Sequence, residues 1–283
     1  MEEDKMDTIP ETIHKVLEQY FLLLEMKLPN FLEAYYLYGS TSLGEFYDGF
    51  SDIDFIALVK RKVTATDMRI LKEIHRDMQR RFPKAILDGM YVMKDDLESL
   101  NNGEASCPRF NDGKFQGFRT FDQNSIDAYQ LKKYGIAMKG PGAEYFTYAV
   151  NWDILMNNMR DNLNTYWQNW VNDCKKFWSI KYIGLFTSLG MIEWGVLGVS
   201  RLYYTFREKD ITSKIRAGEY ALKIVPQRWH KIIYESMRLR KGNKKSYYKS
   251  IFERRKDALG YIEFMTQESN SLFDDKKPLL KRG

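Results

Sequence analysis

Two aspartates one residue apart, Asp52 and Asp54, stand in the stretch DIDFIALV, whose run of apolar side chains predicts a β-strand over Asp52–Val59. Alternation along a strand puts both carboxylates on one face, about 6–7 Å apart at the backbone, and turns Ile53 into a core. Two carboxylates held this way repel one another unless a cation joins them, and their hard oxygens suit Mg²⁺, which keeps waters and binds substrate phosphates as well. Ahead of them the short aromatic strand Ala34–Tyr38 stops at Gly39-Ser40. Gly39 lets the backbone approach a ligand closely, and the Ser40 hydroxyl and nearby amides can hydrogen-bond phosphate oxygens. A lone DxD is usually a solvated edge and a lone Gly-Ser a turn; strand, Gly-Ser, loop and apolar-flanked DxD in this order point to a metal site. A P-loop is excluded, because Glu45 and Phe46 stand where Lys and Ser/Thr would have to reach the phosphates.

The elements that must position these residues are legible on either side. Apolar residues at Ile13, Val16, Leu17, Tyr20, Phe21 and Leu24, after Pro10, predict an amphipathic helix over 10–27. Met68, Leu71, Ile74 and Met78 predict another over 66–81, and AILDGMYVM predicts a third strand over Ala85–Met93. Regular patterning fails from Asn101 to Asp127, where Asn-Asp-Gly between Phe110 and Phe115 signals a hairpin turn. The segment Ala128–Met138 has a helical pattern and stops at Gly140-Pro141-Gly142, a candidate domain boundary. Beyond it helical period prevails over 151–170, 181–206, 213–224, 226–240 and 246–268. The expected architecture is α+β: residues 1–147 with a mixed sheet, an all-helical bundle over 148–272, and a frayed tail over 273–283.

Composition narrows the function classes. With 283 residues, 44 Lys+Arg and 38 Asp+Glu, the net charge is +6, an excess too mild to choose among nucleotide, nucleic acid and acidic membrane as partner. Cys107 and Cys174 form no CxxC, and His14, His75 and His230 form no HxH or HExxH pair, so neither a disulfide framework nor a zinc site is expected. The polar, acidic start MEEDKMDTIPETIHK has the wrong chemistry for a signal peptide, which points to the cytoplasm. The most apolar run, Tyr182–Tyr204, is interrupted by Glu193 and Arg201, so a buried bundle helix is expected there and no membrane span. All six tryptophans fall in the helical half, most of them expected in its core. The basic run Arg238–Lys256, with nine Lys/Arg and one Glu, reads as a solvated helical face before a nucleic-acid surface.

The Gly-Ser and DxD arrangement resembles the nucleotidyltransferase signature, in the form found in aminoglycoside (spectinomycin/streptomycin-type) adenylyltransferases. The likeness runs over roughly residues 30–260: Leu87-Asp88 matches that family's Leu-Glu position, YGIAMKGPGAEYF resembles its segment joining the domains, and GVSRLYYTFREKDITSKIRAGEYALKIVPQRW resembles its helical C-terminal domain. The resemblance implies an N-terminal nucleotidyltransferase domain and a C-terminal helical bundle with ATP and drug in the cleft. It implies that Asp52, Asp54 and Asp88 hold two Mg²⁺ ions, that Gly39, Ser40, Arg201, Lys214 and Arg240 serve the triphosphate, and that Asp88 accepts the proton of the attacking hydroxyl. Arg201 falls within an apolar helical stretch, where an unpaired charge would be costly.

The reaction implied is in-line attack of a drug hydroxyl on the α-phosphorus of ATP, with pyrophosphate leaving and an AMP ester forming. Its partners are ATP and an antibiotic, with no nucleic acid and no membrane, and the chain is expected to act as a monomer. Two departures bear on chemistry: Asp88 is one C–C bond shorter than the usual Glu, and Arg240 stands roughly where some members have a nucleotide-contacting Tyr. A third bears on the drug, since the acid that helps streptomycin-using members has no clear equivalent near Met191–Trp194 apart from Glu193, which favours spectinomycin. The rival readings are transfer to another small molecule such as a lincosamide, transfer to a protein hydroxyl, and a non-catalytic nucleotide- or RNA-binding module using the basic run.

Overall fold

The computed structural model describes residues 9–98 and 106–274. The chain divides into two compact units, Met1–Asn151 and Trp152–Gly283. The first opens with α1 (Glu11–Lys27), β1 (Leu32–Leu37), the single turn α2 (Gly39–Ser42), β2 (Ile53–Val59), α3 (Ala65–Arg81) and β3 (Leu87–Met93). After α4 (Lys94–Glu98) come β4 (Cys107–Asn111), β5 (Lys114–Arg119), α5 (Ile126–Tyr134) and β6 (Ile136–Lys139). The six strands form one mixed sheet in the order β5-β4-β3-β2-β1-β6. Only the β2–β3 pair is parallel, because α3 crosses over to join them; the other neighbours run antiparallel.

Strand alternation sorts the sheet into two cores. Tyr35, Leu37, Ile53, Phe55, Ala57 and Tyr91 face α1 and α3, whose apolar stripes Ile13–Leu24 and Met68–Met78 close that side. Tyr36, Tyr38, Ile56, Leu58, Met90 and Val92 face the other way, toward Ala128 and Leu131 of α5 and the segment carrying Phe146 and Tyr148. The Asn-Asp-Gly signal is realised as the β4–β5 turn: Asn111 pairs with Lys114, and Asp112 (φ 51°) and Gly113 (φ 67°) both take the left-handed conformation that such a two-residue turn requires.

The second unit consists of α6 (Trp152–Asn162), a π-turn (Leu163–Trp167), α7 (Gln168–Lys175), α8 (Ile180–Thr187), α9 (Leu189–Glu208), α10 (Lys214–Ile224), a 3₁₀ turn (Gln227–Trp229), α11 (His230–Arg240) and α12 (Ile251–Ser271). The long helix α9 is its axis, packing against α10, α11 and α12. Ile192, Val196 and Val199 of α9 are buried with Ala217, Ile232, Ile233, Tyr261 and Ile262 from the other helices.

Four expectations are corrected. The segment Ala128–Met138 is not one helix: α5 ends at Tyr134, and Ile136–Lys139 is an edge strand on β1, with Leu37 opposite Ile136. A four-residue apolar run has no period of its own, so its pairing decides its state. The helix expected over 181–206 is two, bent by 99° at Ser188. The Ser188 amide closes α8 on the Gly184 carbonyl at 2.7 Å while its hydroxyl caps α9, accepting from the Met191 amide at 3.3 Å. No single helix among the described residues is long and apolar enough to cross a membrane. The basic run is not simply a solvated face: Arg238, Arg240 and Arg254 are buried, and Arg238 forks onto the fully buried Glu235 at 2.6 and 2.8 Å. Of the tryptophans, Trp167 and Trp170 are in the core, whereas Trp178 is 72% exposed. The frayed tail expected over 273–283 lies outside the described residues from 275 onward.

Beneath the first core the Tyr20 hydroxyl meets the Tyr91 hydroxyl at 2.6 Å, and Tyr91 meets His75 Nε2 at 2.9 Å. His75 also stacks on Phe110 with ring centroids 3.7 Å apart. Burial holds the imidazole neutral by pushing its pKa down to about 3 from the usual 6.5. The unfolded chain therefore binds a proton that the folded chain refuses. This contribution to stability is complete above pH 6.5 and is lost as the pH falls toward 3, at about 1.4 kcal/mol per pH unit. Urea unfolding of His75→Phe across that window should show a flatter acid limb by one proton, alongside a loss of about 1 kcal/mol at neutral pH for the missing hydrogen bond. An unchanged slope would refute the buried neutral imidazole.

Candidate active site

The site grows from the register of the parallel pair. Asp54 of β2 lies directly opposite Asp88 of β3, and in-register residues on neighbouring strands project to one face with backbones about 5 Å apart. Their face is that of Ile56 and Met90, while Ile53, Phe55 and Leu87 enter the opposite core. Asp52 immediately precedes β2, just outside the strand expected to begin with it, and is half-buried. Asp54 and Asp88 line a cavity of about 190 Å³, to which Tyr38, Arg109, Asp122 and Asp127 also contribute; Asp52 is not in its lining.

Gly39 explains how Asp54 fits. Its φ is +66°, and a Cβ built there would lie 1.8 Å from Asp54 Oδ2. The strand end thus passes against the carboxylate in a space that only a glycine leaves open. The Gly39 carbonyl is fixed in turn, accepting from Gln130 Nε2 of α5 at 3.0 Å and from the Ser42 hydroxyl at 3.2 Å. Ser40 follows on α2, half-buried.

Asp88 is held by the β4–β5 turn, whose Gly113 amide donates to Oδ1 at 3.0 Å. Burial raises its pKa above the ordinary carboxylate range; the amides of Gly113 and Asp112 and the charge of Arg109 work against this, and the charge of Asp112 reinforces it. Among the described residues no group of three or more His, Cys, Asp or Glu side chains forms a metal cluster. The donor set of Asp54 and Asp88 nevertheless fits a divalent cation: two hard carboxylates side by side, with the Gly39 cradle against one of them.

The cations expected at the triphosphate all fall in the second unit, and the structure gathers Lys214 and Arg240 about one carboxylate. Lys214, the first residue of α10, reaches Glu193 of α9 at 3.1 Å, and Arg240 Nε, at the end of α11, lies 3.8 Å from the same oxygen. Arg201 is two turns further along α9 and is exposed, so the argument from a charge buried in an apolar helix fails for it. Lys214 is pushed down to about 8: burial dominates, Glu193 opposes it, and the charges of Arg240 and Arg201 push the same way as burial. Lys214 and Arg240 share one negative partner, and the charge of Arg201 acts on Lys214 as well, an excess suited to an anion. Glu193 itself is 9% exposed and engaged by protein cations.

Residues 191–266 match the family described as aminoglycoside adenylyltransferase, C-terminal domain. The matched residues lie within the second unit. The whole chain also shares the fold of a spectinomycin adenyltransferase AAD(9) from Enterococcus faecialis, solved with ATP and spectinomycin: the TM-score is 0.64 at 14% identity, covering 88% of this chain and 99% of that one. No curated protein sequence matches the chain. The resemblance to the aminoglycoside adenylyltransferases therefore stands over residues 191–266, and the fold is α+β, shared with that solved structure, with a helical second unit.

Sequence reasoning missed four cavity residues: Tyr38, Arg109, Asp122 and Asp127. Tyr38 was within reach, since alternation from Tyr36 places it on the face of Asp54. The others come from a hairpin and a helix start that only the folded sheet brings alongside β2 and β3.

Substituting Gly39→Ala should lower the melting temperature, because a left-handed alanine costs about 1–2 kcal/mol before its methyl meets Asp54. A variant that melts like wild type in differential scanning calorimetry would show that Asp54 has room the structure denies it.

Proposed function

We propose that this chain is an ATP-dependent adenylyltransferase that transfers AMP to a hydroxyl of an aminoglycoside or aminocyclitol antibiotic, spectinomycin before streptomycin, and releases pyrophosphate. The observation that carries this reading is the Asp54–Asp88 pair, in register on one face of the sheet and cradled by Gly39. The preference for spectinomycin draws on the similar fold of AAD(9) and on Glu193, whose carboxylate is already committed to Lys214 and Arg240. A reaction that consumes ATP suits a monomer in the cytoplasm, and the burial of Arg238, Arg240 and Arg254 weakens the case for a nucleic-acid surface.

Asp52, Asp54 and Asp88 would hold two Mg²⁺ ions, which supply Lewis acidity at the phosphate and neutralise charge developing on it. Asp88, raised by burial, accepts the proton of the attacking drug hydroxyl. Gly39 and Ser40 offer backbone and hydroxyl donors to phosphate oxygens, while Arg201, Lys214 and Arg240 neutralise the triphosphate and stabilise the leaving pyrophosphate.

Pyrophosphate release with ATP or GTP against a panel of spectinomycin, streptomycin and lincosamides tests the reaction. Release is expected with ATP and spectinomycin, falling at least about a hundredfold in Asp52→Asn, Asp54→Asn and Asp88→Asn. Release with no drug on the panel, or full release by Asp54→Asn, would sink the proposal.

The cation cluster gives a separate pH signature. Protonated Lys214 is the form that binds the triphosphate, and its pKa is pushed down to about 8, so the KM for ATP should rise as the pH passes 8. Lys214→Arg should flatten that rise, because the guanidinium stays charged. A KM for ATP independent of pH from 7 to 9 in the wild type would remove Lys214 from the triphosphate.

A further inference from the structure

One face of the second unit carries a ladder of rings exposed to solvent. From Trp178 through Phe177, Tyr182 and Phe186 to Phe252, successive ring centroids lie 5.0, 5.3, 5.4 and 5.2 Å apart. The ladder joins the turn between α7 and α8, α8 itself and the first turn of α12. The Arg255 guanidinium braces its middle, lying over Tyr182 and Phe186 at 4.3 and 4.8 Å while it donates to the Cys174 carbonyl at 2.8 Å. Its outer members stand clear of the bundle: Trp178 is 72% exposed, Phe252 70% and Phe177 66%, and the neighbouring Ile180 is 90% exposed. Single apolar side chains at a surface are ordinary, but a contiguous group of this kind marks a place of contact.

The turn that presents the ladder is a built one. The Ser179 amide donates to the Lys176 carbonyl at 3.0 Å, the Ser179 hydroxyl donates to the Asp173 carbonyl, and that hydroxyl accepts from the Tyr182 amide at 2.9 Å. Between these contacts Trp178 takes φ +62°, a left-handed conformation that a bulky residue adopts only at a cost. A folded turn, strained at its tryptophan, thus keeps two large rings in water. The charges around them have one sign. Residues 175–192 hold Lys175, Lys176 and Lys181 and no acid; residues 241–252, which lead into Phe252, hold Lys241, Lys244, Lys245 and Lys249 and no acid. Lys175 pairs with Glu263, and Lys181 with Asp173 at 2.9 Å; the other five lysines are exposed. The acids that follow on α12 are engaged, Glu253 by Lys231 at 2.6 Å and Asp257 by the Tyr248 hydroxyl at 2.7 Å.

We propose that this face docks the protein on an anionic lipid bilayer, with Trp178, Phe177, Ile180 and Phe252 entering the headgroup region and the lysines beside them meeting the lipid phosphates. Tryptophan and phenylalanine next to lysine is the chemistry of that boundary, where rings leave water and ammonium groups stay at the charged surface. Other occupants fit less well. Single-stranded nucleic acid stacks its bases on successive parallel faces, whereas these rings meet edge to face at 64–71° and alternate with aliphatic side chains. A second copy of the chain would set one lysine-rich face against another. Attachment of this kind needs no spanning helix, and it would revise the expectation of no membrane partner. It is independent of the adenylyltransferase reading, since none of these residues belongs to the site proposed for that reaction.

Flotation of the full chain with lipid vesicles tests the docking. Vesicles of equal parts phosphatidylglycerol and phosphatidylcholine should carry the protein upward, and vesicles of phosphatidylcholine alone should leave it behind. The double variant Phe177→Ser, Trp178→Ser and the double variant Lys176→Glu, Lys249→Glu should each weaken partitioning at least about tenfold. All four side chains are exposed, so thermal unfolding of both variants should match wild type. Brominated lipid in the mixed vesicles should quench part of the tryptophan emission, and Trp178→Phe should abolish that quenching. No flotation with the mixed vesicles, equal flotation with both kinds, or flotation that neither double variant weakens overturns the proposal. So does a failure to float accompanied by retention of single-stranded RNA or by self-association that the variants remove, since the face would then serve another partner.

Discussion

Two like charges forced side by side are what the first unit is organised around. The parallel pairing of β2 and β3 sets Asp54 against Asp88, and at that spacing the carboxylates repel strongly in a partly buried setting. The surroundings answer this in different ways. Asp88 is stabilised by turn amides and lies near Arg109, Asp54 is packed against the bare Cα of Gly39, and the face they share opens into a cavity. The opposite face shows the contrast: there Ile53, Phe55 and Leu87 fill an apolar core with no charge to accommodate. A fold that needed only stability would place apolar residues on both faces of a central strand, as alternation in β2 does from Ile56 onward. The acids at the start of β2 and β3 are a cost that the proposed cation site would account for.

The second unit solves the reverse problem. Lys214 and Arg240 would repel one another if brought together unaided, and Glu193 is the carboxylate that permits it. One acid between two bases, with the charge of Arg201 acting on Lys214 as well, leaves a net positive site whose two paired members are nevertheless anchored. Because α9 contributes both Glu193 and Arg201, and α10 and α11 deliver Lys214 and Arg240 at their ends, the cluster depends on the packing of three helices. The buried Glu235 with Arg238 and Arg254 uses similar chemistry for another end: there one acid anchors two bases and ties the chain after α11 back to the bundle, with the Ser246 hydroxyl and the Tyr247 amide donating to the same carboxylate. The net charge of +6 conceals both arrangements.

What could be read from the sequence was whatever local chemistry dictates. The apolar run after Asp52 announced the strand that carries Asp54, and Asn-Asp-Gly announced the turn between β4 and β5, because both are properties of consecutive residues. The pairing of Ile136–Lys139 with β1 was hidden, since four residues carry no period and the partner lies a hundred residues earlier. The bend at Ser188 was hidden for a related reason: apolar spacing continues across it, and the serine that caps α9 is an ordinary residue until the chain turns there. Arg201 misled because mean hydropathy along a helix does not say which side a residue occupies. Arg109, Asp122 and Asp127 became candidates only when their segments were folded around one cavity.

The substitution of Asp for the family's usual Glu at position 88 finds a physical reading in the hairpin. An aspartate carboxylate lies one C–C bond closer to its strand, so a group must come to it. The β4–β5 turn does so, bringing the Gly113 amide to 3.0 Å from Oδ1. That contact depends on Asp112 and Gly113 both adopting left-handed conformations, which β-branched or bulky residues resist. Proton acceptance and metal contact in the proposed reaction must be made beside the amides of Gly113 and Asp112 that already hold the carboxylate. The turn therefore orients the carboxylate as well as desolvating it, and a short acid can take a position for which a longer one would need less help. The price is that the hairpin, which in a purely structural role could vary freely, becomes part of the chemistry.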